Sequence, residues 1–479
     1  MSETIAAIST AYGEGGIGIV RISGDLAAQI LNQIFVPASV APTHSVEHIE
    51  QTMHSDSAAL EPQSIPPNRI LRYGKIVDPQ TGEMVDEVLT VLMKAPATYT
   101  REDVAEIYCH GSVIALRRTL GLALHLGARL AEAGEFTKLA FLNGRLDLSQ
   151  AEAVIDLIRA KTTKSFEVAV GQLEGKLSME INMLRGRLLD ILVDMTVNID
   201  YPDEDIEEIV YEQLMNSLSQ IGGEIDRLRI TADTGRILQE GLNVVIIGKP
   251  NVGKSSLMNA LMRETRAIVT EIPGTTRDTI QETISLKGIP VRLTDTAGIR
   301  ETDDTIEQIG IARSKESFQR ADLILMMLDV SEELSEEDKY IIEHIGDKRT
   351  ILLANKIDLG AKATLDEIRG FLPEAKMIET SMVSDVGLEK IEEEIQQLVY
   401  GGKVSQGESL MVTNARHENL LREASMAIAD AAAMTNDAEP LELIEVDVRR
   451  GYDLLGEIIG ETVSDDIISE VFSRFCLGK

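Results

Sequence analysis

The residues whose spacing most narrowly specifies a chemistry lie between positions 248 and 255: Gly248, four intervening residues, then Gly253-Lys254-Ser255. Four apolar residues, Val244 to Ile247, come before them, and Leu257, Ala260 and Leu261 follow at helical spacing. Strand, glycine-rich loop and helix in that order make a phosphate-binding loop. The glycines let the backbone curl so that successive N–H groups point inward, and the helix N-terminus adds partial positive charge. Lys254 is placed to reach the outer phosphates, and the Ser255 hydroxyl suits a Mg²⁺ ion. Three further clusters extend the site. Asp295-Thr296-Ala297-Gly298 follows the strand-like Val291–Thr294; an Asp there holds Mg²⁺ through water, and the Gly298 N–H can meet a γ-phosphate. Asn355-Lys356-Ile357-Asp358 follows the apolar Ile351–Ala354. The Asp358 carboxylate can accept two hydrogen bonds, from N1–H and the amino group of guanine. Adenine offers no such pair, so Asp358 selects GTP over ATP, because buried groups left unpaired are costly. Between these clusters Gly274-Thr275-Thr276-Arg277-Asp278 offers a Thr hydroxyl, assigned to Thr276, to complete the Mg²⁺ shell. Together, in this order, the four clusters read as a GTPase.

One catalytic part is absent. Many GTPases place a Gln after Asp-x-x-Gly to orient the attacking water. Here that position is Ile299, which cannot hydrogen-bond to water, so hydrolysis must recruit another group; Arg277 and Arg300 are near enough in the chain to be considered.

These clusters need a parallel-sheet scaffold, and the rest of the chain must supply other domains. With 479 residues and 44% apolar composition, two or three domains with sizeable cores are expected. The net charge of −33 opposes a broad nucleic-acid footprint. Two cysteines, Cys109 and Cys476, make no disulfide framework, and a reducing cytoplasmic setting is expected. No apolar run approaches the length of about 18 residues that spans a bilayer, and the N-terminus lacks a signal-peptide pattern. Residues 1–143 read as a mixed α/β domain, with strands at Thr4–Ser9, Ile17–Ile22, Ile70–Val77, Val85–Met93 and Val104–Tyr108, and a helix at Ser112–Leu126. Gly13 to Gly18 formally matches GxGxxG, but a strand follows it, which excludes a dinucleotide loop. Pro37–Asn68 lacks periodicity and reads as a surface insertion. Residues 144–240 are helical: Val170, Leu173, Leu177, Ile181, Leu184, Leu188, Ile191 and Met195 trace one amphipathic stripe, and Leu214 to Leu228 another. Residues 241–402 hold a Ras-like α/β P-loop GTPase domain. Residues 403–479 return to helix, at Ala415–Met434, Leu441–Ile459 and from near Ser464. The GTPase domain is thus an insertion in a helical domain.

This order ends in Cys476-Leu477-Gly478-Lys479 and resembles the MnmE (TrmE) family of tRNA-modification GTPases over the whole chain. The segments that carry the resemblance are Gly16–Gly24, Glu106–Gly111, Gly134–Asn143, Leu146–Ala153, Gly274–Asp278 and the Cys-x-Gly-Lys end. Arg101 stands where the family commonly has Gly, and the last guanine-loop motif reads Ser381-Met382 rather than Ser-Ala. The resemblance implies a homodimer joined through N-terminal domains similar to folate-binding modules. Each would hold a formyl- or methylene-tetrahydrofolate between Arg21, Glu106, Arg145 and Lys479. It implies a flavin-dependent partner, MnmG, with which the family adds an aminomethyl or carboxymethylaminomethyl group at C5 of the wobble uridine (U34) of tRNA. It also implies K⁺ in place of an arginine finger, held by Asn251 and by oxygens of Thr270, Ile272 and Thr275, with Glu307 as the catalytic glutamate. By motif, the nucleotide contacts are Asn251, Val252, Gly253, Lys254, Ser255 and Ser256 in the P-loop; Thr270, Glu271, Ile272, Pro273, Gly274, Thr275 and Thr276 in the next loop; then Asp295, Thr296, Ala297 and Gly298; and Asn355, Lys356, Asp358, Ser381 and Met382 around the base. Asn251, Lys254 and Glu307 are the catalytic candidates. Cys476, without a visible base, is not assigned as a nucleophile. Two other readings fit a GTPase core: a ribosome-assembly or RNA-binding GTPase, which usually carries a basic module not seen here, and a pure interaction switch.

Overall fold

The computed structural model describes residues 3–11, 13–38, 67–201, 210–264, 281–295, 318, 320–346, 348–360, 365–373, 375–401 and 410–479. The chain divides into two compact units, Met1–Glu152 with Gly460–Lys479, and Ala153–Ile459. The last twenty residues, counted with the second helical segment on sequence, therefore cluster with the N-terminal residues.

In the first unit the strands are β1 (Ile5–Ile8), β2 (Gly15–Ser23), β3 (Phe35–Pro37), β4 (Arg72–Val77), β5 (Met84–Met93), β6 (Val104–Gly111) and β7 (Arg129–Leu130). They form one sheet in the order β3-β4-β5-β6-β2-β1-β7. Alternation sets its buried face: Val20 and Ile22 on β2, Val88 and Leu92 on β5, and Ala105 and Ile107 on β6 point into one core. The helices Ala27–Ile34 and Val113–His125 cover that face, contributing Ile30, Leu31, Ile34, Leu116 and Ala123. Burying each such Leu or Ile is worth about 1.5–3 kcal/mol. The GxGxxG look-alike opens strand β2, as its context required. Of the insertion, residues 39–66 lie outside the described set.

The second unit holds the other sheet: β8 (Leu242–Ile247), β9 (Gln281–Leu286), β10 (Ile289–Asp295), β11 (Leu323–Asp329), β12 (Thr350–Asn355) and β13 (Lys376–Glu379), ordered β13-β12-β11-β8-β10-β9. All neighbours are parallel except β9, which pairs antiparallel with β10. A strand covered on both faces must be apolar throughout, and every residue of β11 is buried. The helices Lys176–Asp200, Tyr211–Ile230, Ala415–Asn436 and Leu441–Ile459 share a separate core built on Leu184, Leu188, Leu218, Ile221, Ile428 and Leu455. The single stripe expected from Val170 to Met195 is two helices, Thr163–Leu173 and Lys176–Asp200, broken at the left-handed Gly175 (φ 85°). The first contributes Val168 to the core of the β8 sheet, together with Ile237 and Leu238 from the helix Ala232–Glu240.

Candidate functional site

In open parallel sheets, ligands bind outside the carboxyl ends of the strands. Here β8, β11 and β12 end together, and the predicted P-loop follows β8 while Lys356 and Asp358 follow β12. The P-loop leaves β8 at Gly248 and enters the helix Lys254–Glu264 at Lys254. Its turns require glycine. At Gly248 (φ 145°) a Cβ would lie 2.3 Å from the Met327 carbonyl oxygen, and at Gly253 (φ 111°) 2.5 Å from Asn355 Nδ2. Asn251 between them is exposed and left-handed (φ 64°), a region Asn tolerates better than most residues. Lys254 Nζ donates to the carbonyls of Gly248 (2.7 Å) and Lys249 (2.8 Å), which folds its ammonium over the loop. Ser255 and Ser256 are exposed in the first turn of the helix. The curled loop, the lysine over it and the hydroxyl at the helix start fit a Mg²⁺-bound polyphosphate.

Sequence reasoning missed the residues that hold this loop. Lys249 Nζ pairs with Asp338 Oδ2 (3.1 Å) and Glu332 Oε2 (3.5 Å). Burial alone would lower its pKa, but the Asp338 hydrogen bond and the two carboxylate charges outweigh burial and raise it. Asp338 is itself buried in the capping box that Ser335 makes at the helix Glu336–Glu343. The only sequence signal is Ser335 three residues before an Asp.

The candidate base pocket is built from β11, β12 and β13. Asn355 is 2% exposed and faces back to the P-loop: its Nδ2 donates to the Val252 carbonyl (2.7 Å), and its Oδ1 accepts from Thr380 Oγ1 (3.2 Å). Lys356, left-handed at φ 66°, donates to Asp329 Oδ2 at 2.6 Å. Burial would raise the Asp329 pKa, yet the hydrogen bonds from Lys356 and Ser331 lower it, so it stays a carboxylate. Asp358 lies in the short 3₁₀ turn Ile357–Leu359, and Ser381 Oγ donates to its Oδ1 at 2.6 Å. That contact joins the two motifs expected to recognise the base and leaves the carboxylate an acceptor for N–H groups. Met382 is half-buried and packs on the core below. Thr380 and Asp329 were not anticipated, because their roles depend on strands meeting across the sheet.

Asp295 ends β10 in register with Ile246 of β8, which places its backbone one strand from the P-loop. Thr270, Glu271, Ile272, Pro273, Gly274, Thr275, Thr276, Thr296, Ala297, Gly298 and Glu307 lie outside the described residues.

The four residues carried over for folate gather in the first unit around Tyr99 and Phe136. Arg21 and Glu106 are cross-strand partners on β2 and β6 and form an ion pair at 2.9 Å. Tyr108 donates to the other Glu106 oxygen at 2.7 Å. Burial first, then this bond, pushes the Tyr108 pKa up to about 12, so it remains a donor. The Arg21 guanidinium also lies over the rings of Tyr99 (5.7 Å) and Phe136 (5.6 Å). Arg145 stacks on Tyr99 at 4.6 Å and donates to its carbonyl at 3.3 Å. The Lys479 carbonyl accepts from the Phe136 N–H (3.1 Å), and Leu477 bridges to Ala133, so the chain end is seated here. Arg21 thus holds the Glu106 carboxylate in place. A cavity of about 720 Å³ opens beside this group, with Tyr99, Tyr108 and Arg145 in its lining. Cys109 is buried and its thiol is pushed up to about 11, first by desolvation, which leaves it without nucleophilic character at neutral pH.

Comparison with known proteins bears on both units. Residues 148–476 match the family model described as the MnmE helical domain, and residues 4–145 match that of the GTP-binding protein TrmE N-terminus. The tRNA modification GTPase MnmE of Alkaliphilus oremlandii is 49% identical over 479 residues, covering 100% of both chains. That of Geobacillus kaustophilus is 47% identical over 478 residues, covering 100% of this chain and 99% of the relative. Among solved structures, a variant of Aquifex aeolicus Era bound to GDP·AlF₄⁻ is 27% identical over 38% of this chain and 66% of its own, with a TM-score of 0.27, too low to bear on the fold. With both family models matched in order and such identity from end to end, the chain belongs to the MnmE (TrmE) family of tRNA modification GTPases and is a GTP-hydrolysing enzyme.

Proposed function

We propose that this protein hydrolyses GTP in the course of modifying tRNA, adding an aminomethyl or carboxymethylaminomethyl group at C5 of the wobble uridine. In this reading it works in the cytoplasm as a homodimer with the flavin-dependent MnmG. The observation that carries the reading is the full-length similarity to tRNA modification GTPases. The curled loop under Lys254 in one unit and an arginine-rich aromatic cavity in the other support it.

In the GTPase domain, the P-loop N–H groups and Lys254 bind the phosphates, and Ser255 with Thr276 would hold Mg²⁺. Asp358 accepts the guanine N–H pair, with Ser381 fixing the carboxylate. Asn251 is exposed on the left-handed turn, a position that suits a side-chain oxygen ligand for K⁺; Thr270, Ile272 and Thr275 would add oxygens. A positive charge at the transferring phosphoryl group is worth about 10³–10⁵ in rate when an arginine supplies it. Glu307 orients the attacking water in place of the Gln that Ile299 replaces.

In the N-terminal unit, a tetrahydrofolate derivative would supply a one-carbon unit. The donor set fits that ligand: Glu106, fixed by Arg21 and Tyr108, is an acceptor for pterin N–H groups, and Tyr99 offers an aromatic face. Arg145 and Lys479 suit the glutamate carboxylates. The decisive experiment is nucleoside analysis of tRNA after deletion of the gene, expected to show wobble uridine lacking the C5 group. Fully modified uridine overturns the reading. Titration with 5-formyltetrahydrofolate tests the folate part separately.

A further inference from the structure

Beside Arg145, already assigned to the folate carboxylates, the cavity next to Tyr99 carries two further arginines. Arg69, Arg101 and Arg145 all line it, and all three are exposed. Among the described residues, none of them is paired with a carboxylate. That is unusual for this chain, which has 79 acidic against 46 basic residues. Other arginines of the same unit find acids readily: Arg21 takes Glu106, Arg118 takes Glu83 and Arg129 takes Glu135. The three cavity arginines are instead tied to backbone carbonyls. Arg69 donates to Ala97, Arg101 Nη1 to Asn143 (2.8 Å) and Arg145 Nη1 to Tyr99 (3.3 Å). One tether each leaves most of the five guanidinium donors for a ligand.

The backbone supports the same conclusion. Arg69 (φ 60°) and Arg101 (φ 61°) both sit in the left-handed region. A residue with a Cβ adopts it at a cost, and Gly would adopt it without one. Two strained arginines therefore face one cavity whose walls include Leu71, Tyr99 and Tyr108. An apolar, aromatic wall with several separated guanidinium forks fits a ligand with an aromatic head and more than one carboxylate. Planar forks bind carboxylates bidentately.

We propose that Arg69, Arg101 and Arg145 read successive carboxylates of a poly-γ-glutamate tail. The protein then takes polyglutamylated reduced folate in preference to the monoglutamate. This rests on the folate reading of the same site.

The test is calorimetric titration of the full chain with 5-formyltetrahydrofolate carrying one or three glutamates. Exposed ion pairs are worth up to about fivefold in affinity each, so the triglutamate is expected to bind roughly tenfold tighter. Raised salt shrinks that ratio. Arg101→Gly and Arg69→Gly relieve the left-handed backbone, so both variants are expected to fold. In each, the ratio of the two affinities falls toward one, and a ratio is insensitive to any loss of active protein. Equal affinity for both forms in the parent overturns the tail subsite and leaves the folate reading standing. A parental ratio preserved in both variants also overturns it. No binding of either form overturns the folate reading and the subsite together.

Discussion

Gly253→Ala tests whether the phosphate loop and the base pocket are one mechanical piece. The added Cβ would lie 2.5 Å from Asn355 Nδ2, well inside contact distance. Asn355 cannot swing aside freely. It is 2% exposed, donates to Val252 at 2.7 Å and accepts from Thr380 at 3.2 Å. Alanine at φ 111° adds backbone strain of about 1–3 kcal/mol. Shifting Asn355 forfeits a buried hydrogen bond worth about 1 kcal/mol. Without nucleotide the loop can relax, but bound phosphates require the curled form, so the cost falls on binding. The sum, about 2–4 kcal/mol, is a loss of roughly 30- to 1,000-fold in GTP affinity. Equilibrium binding of GTP and GDP by calorimetry measures it, with thermal melting to establish that the fold is retained. A double-mutant cycle with Asn355→Ala adds a sharper check, because removing the obstructing amide should recover about 1 kcal/mol of the Gly253→Ala loss. Affinity within threefold of the parent, or strict additivity in the cycle, refutes the coupling.

Asp358→Asn places a donor against the guanine N–H pair and should sharply weaken GTP binding; affinity equal to the parent's would show the base pocket to be misplaced. GTP turnover should be faster in K⁺ than in Na⁺ at equal ionic strength, lose that stimulation in Asn251→Ala, and nearly vanish with GTP binding retained in Glu307→Ala. Equal parental rates in the two salts refute the cation mechanism, and a fully active Glu307→Ala removes that residue from it. Deleting Lys479 takes away the acceptor of the Phe136 N–H at the start of the helix Glu135–Leu142, and should weaken folate binding and tRNA modification while GTP hydrolysis stays nearly intact; undiminished folate affinity refutes it.

The phosphate loop was legible because all its constraints are local. Apolar run, glycines, lysine and helix lie within about twenty consecutive residues, and each has a fixed physical reason. Strands β2, β4, β5 and β6 were legible for a similar reason, since partial alternation exposes the period directly, and β1 was legible as a short apolar run. The short edge strands β3 and β7 carry too few residues to show a period. The break at Gly175 was hidden by apolar residues that keep helical spacing on both sides of it, so the stripe looked continuous.

What the sequence could not show is which charges satisfy one another across the fold. Arg21 and Glu106 are 85 residues apart, and Asn355 is 103 residues from Val252. Each was assigned to a ligand on sequence, and each also has a partner within the protein. The two cases differ in consequence. Asn355 lends its amide to the P-loop, while Asp358 is the residue that the proposed function turns toward guanine. Arg21 is paired with Glu106 and positions that acceptor, which the proposed function turns toward a pterin ring. The proposed anion contacts fall to arginines whose only intramolecular partners, among the described residues, are carbonyls and the Tyr99 ring. Guanidinium groups tied to neutral acceptors keep their charge available, whereas one matched to a carboxylate has most of its field cancelled. Partner type, which only the folded chain reveals, therefore separates the arginines that shape the site from those available to bind an anion.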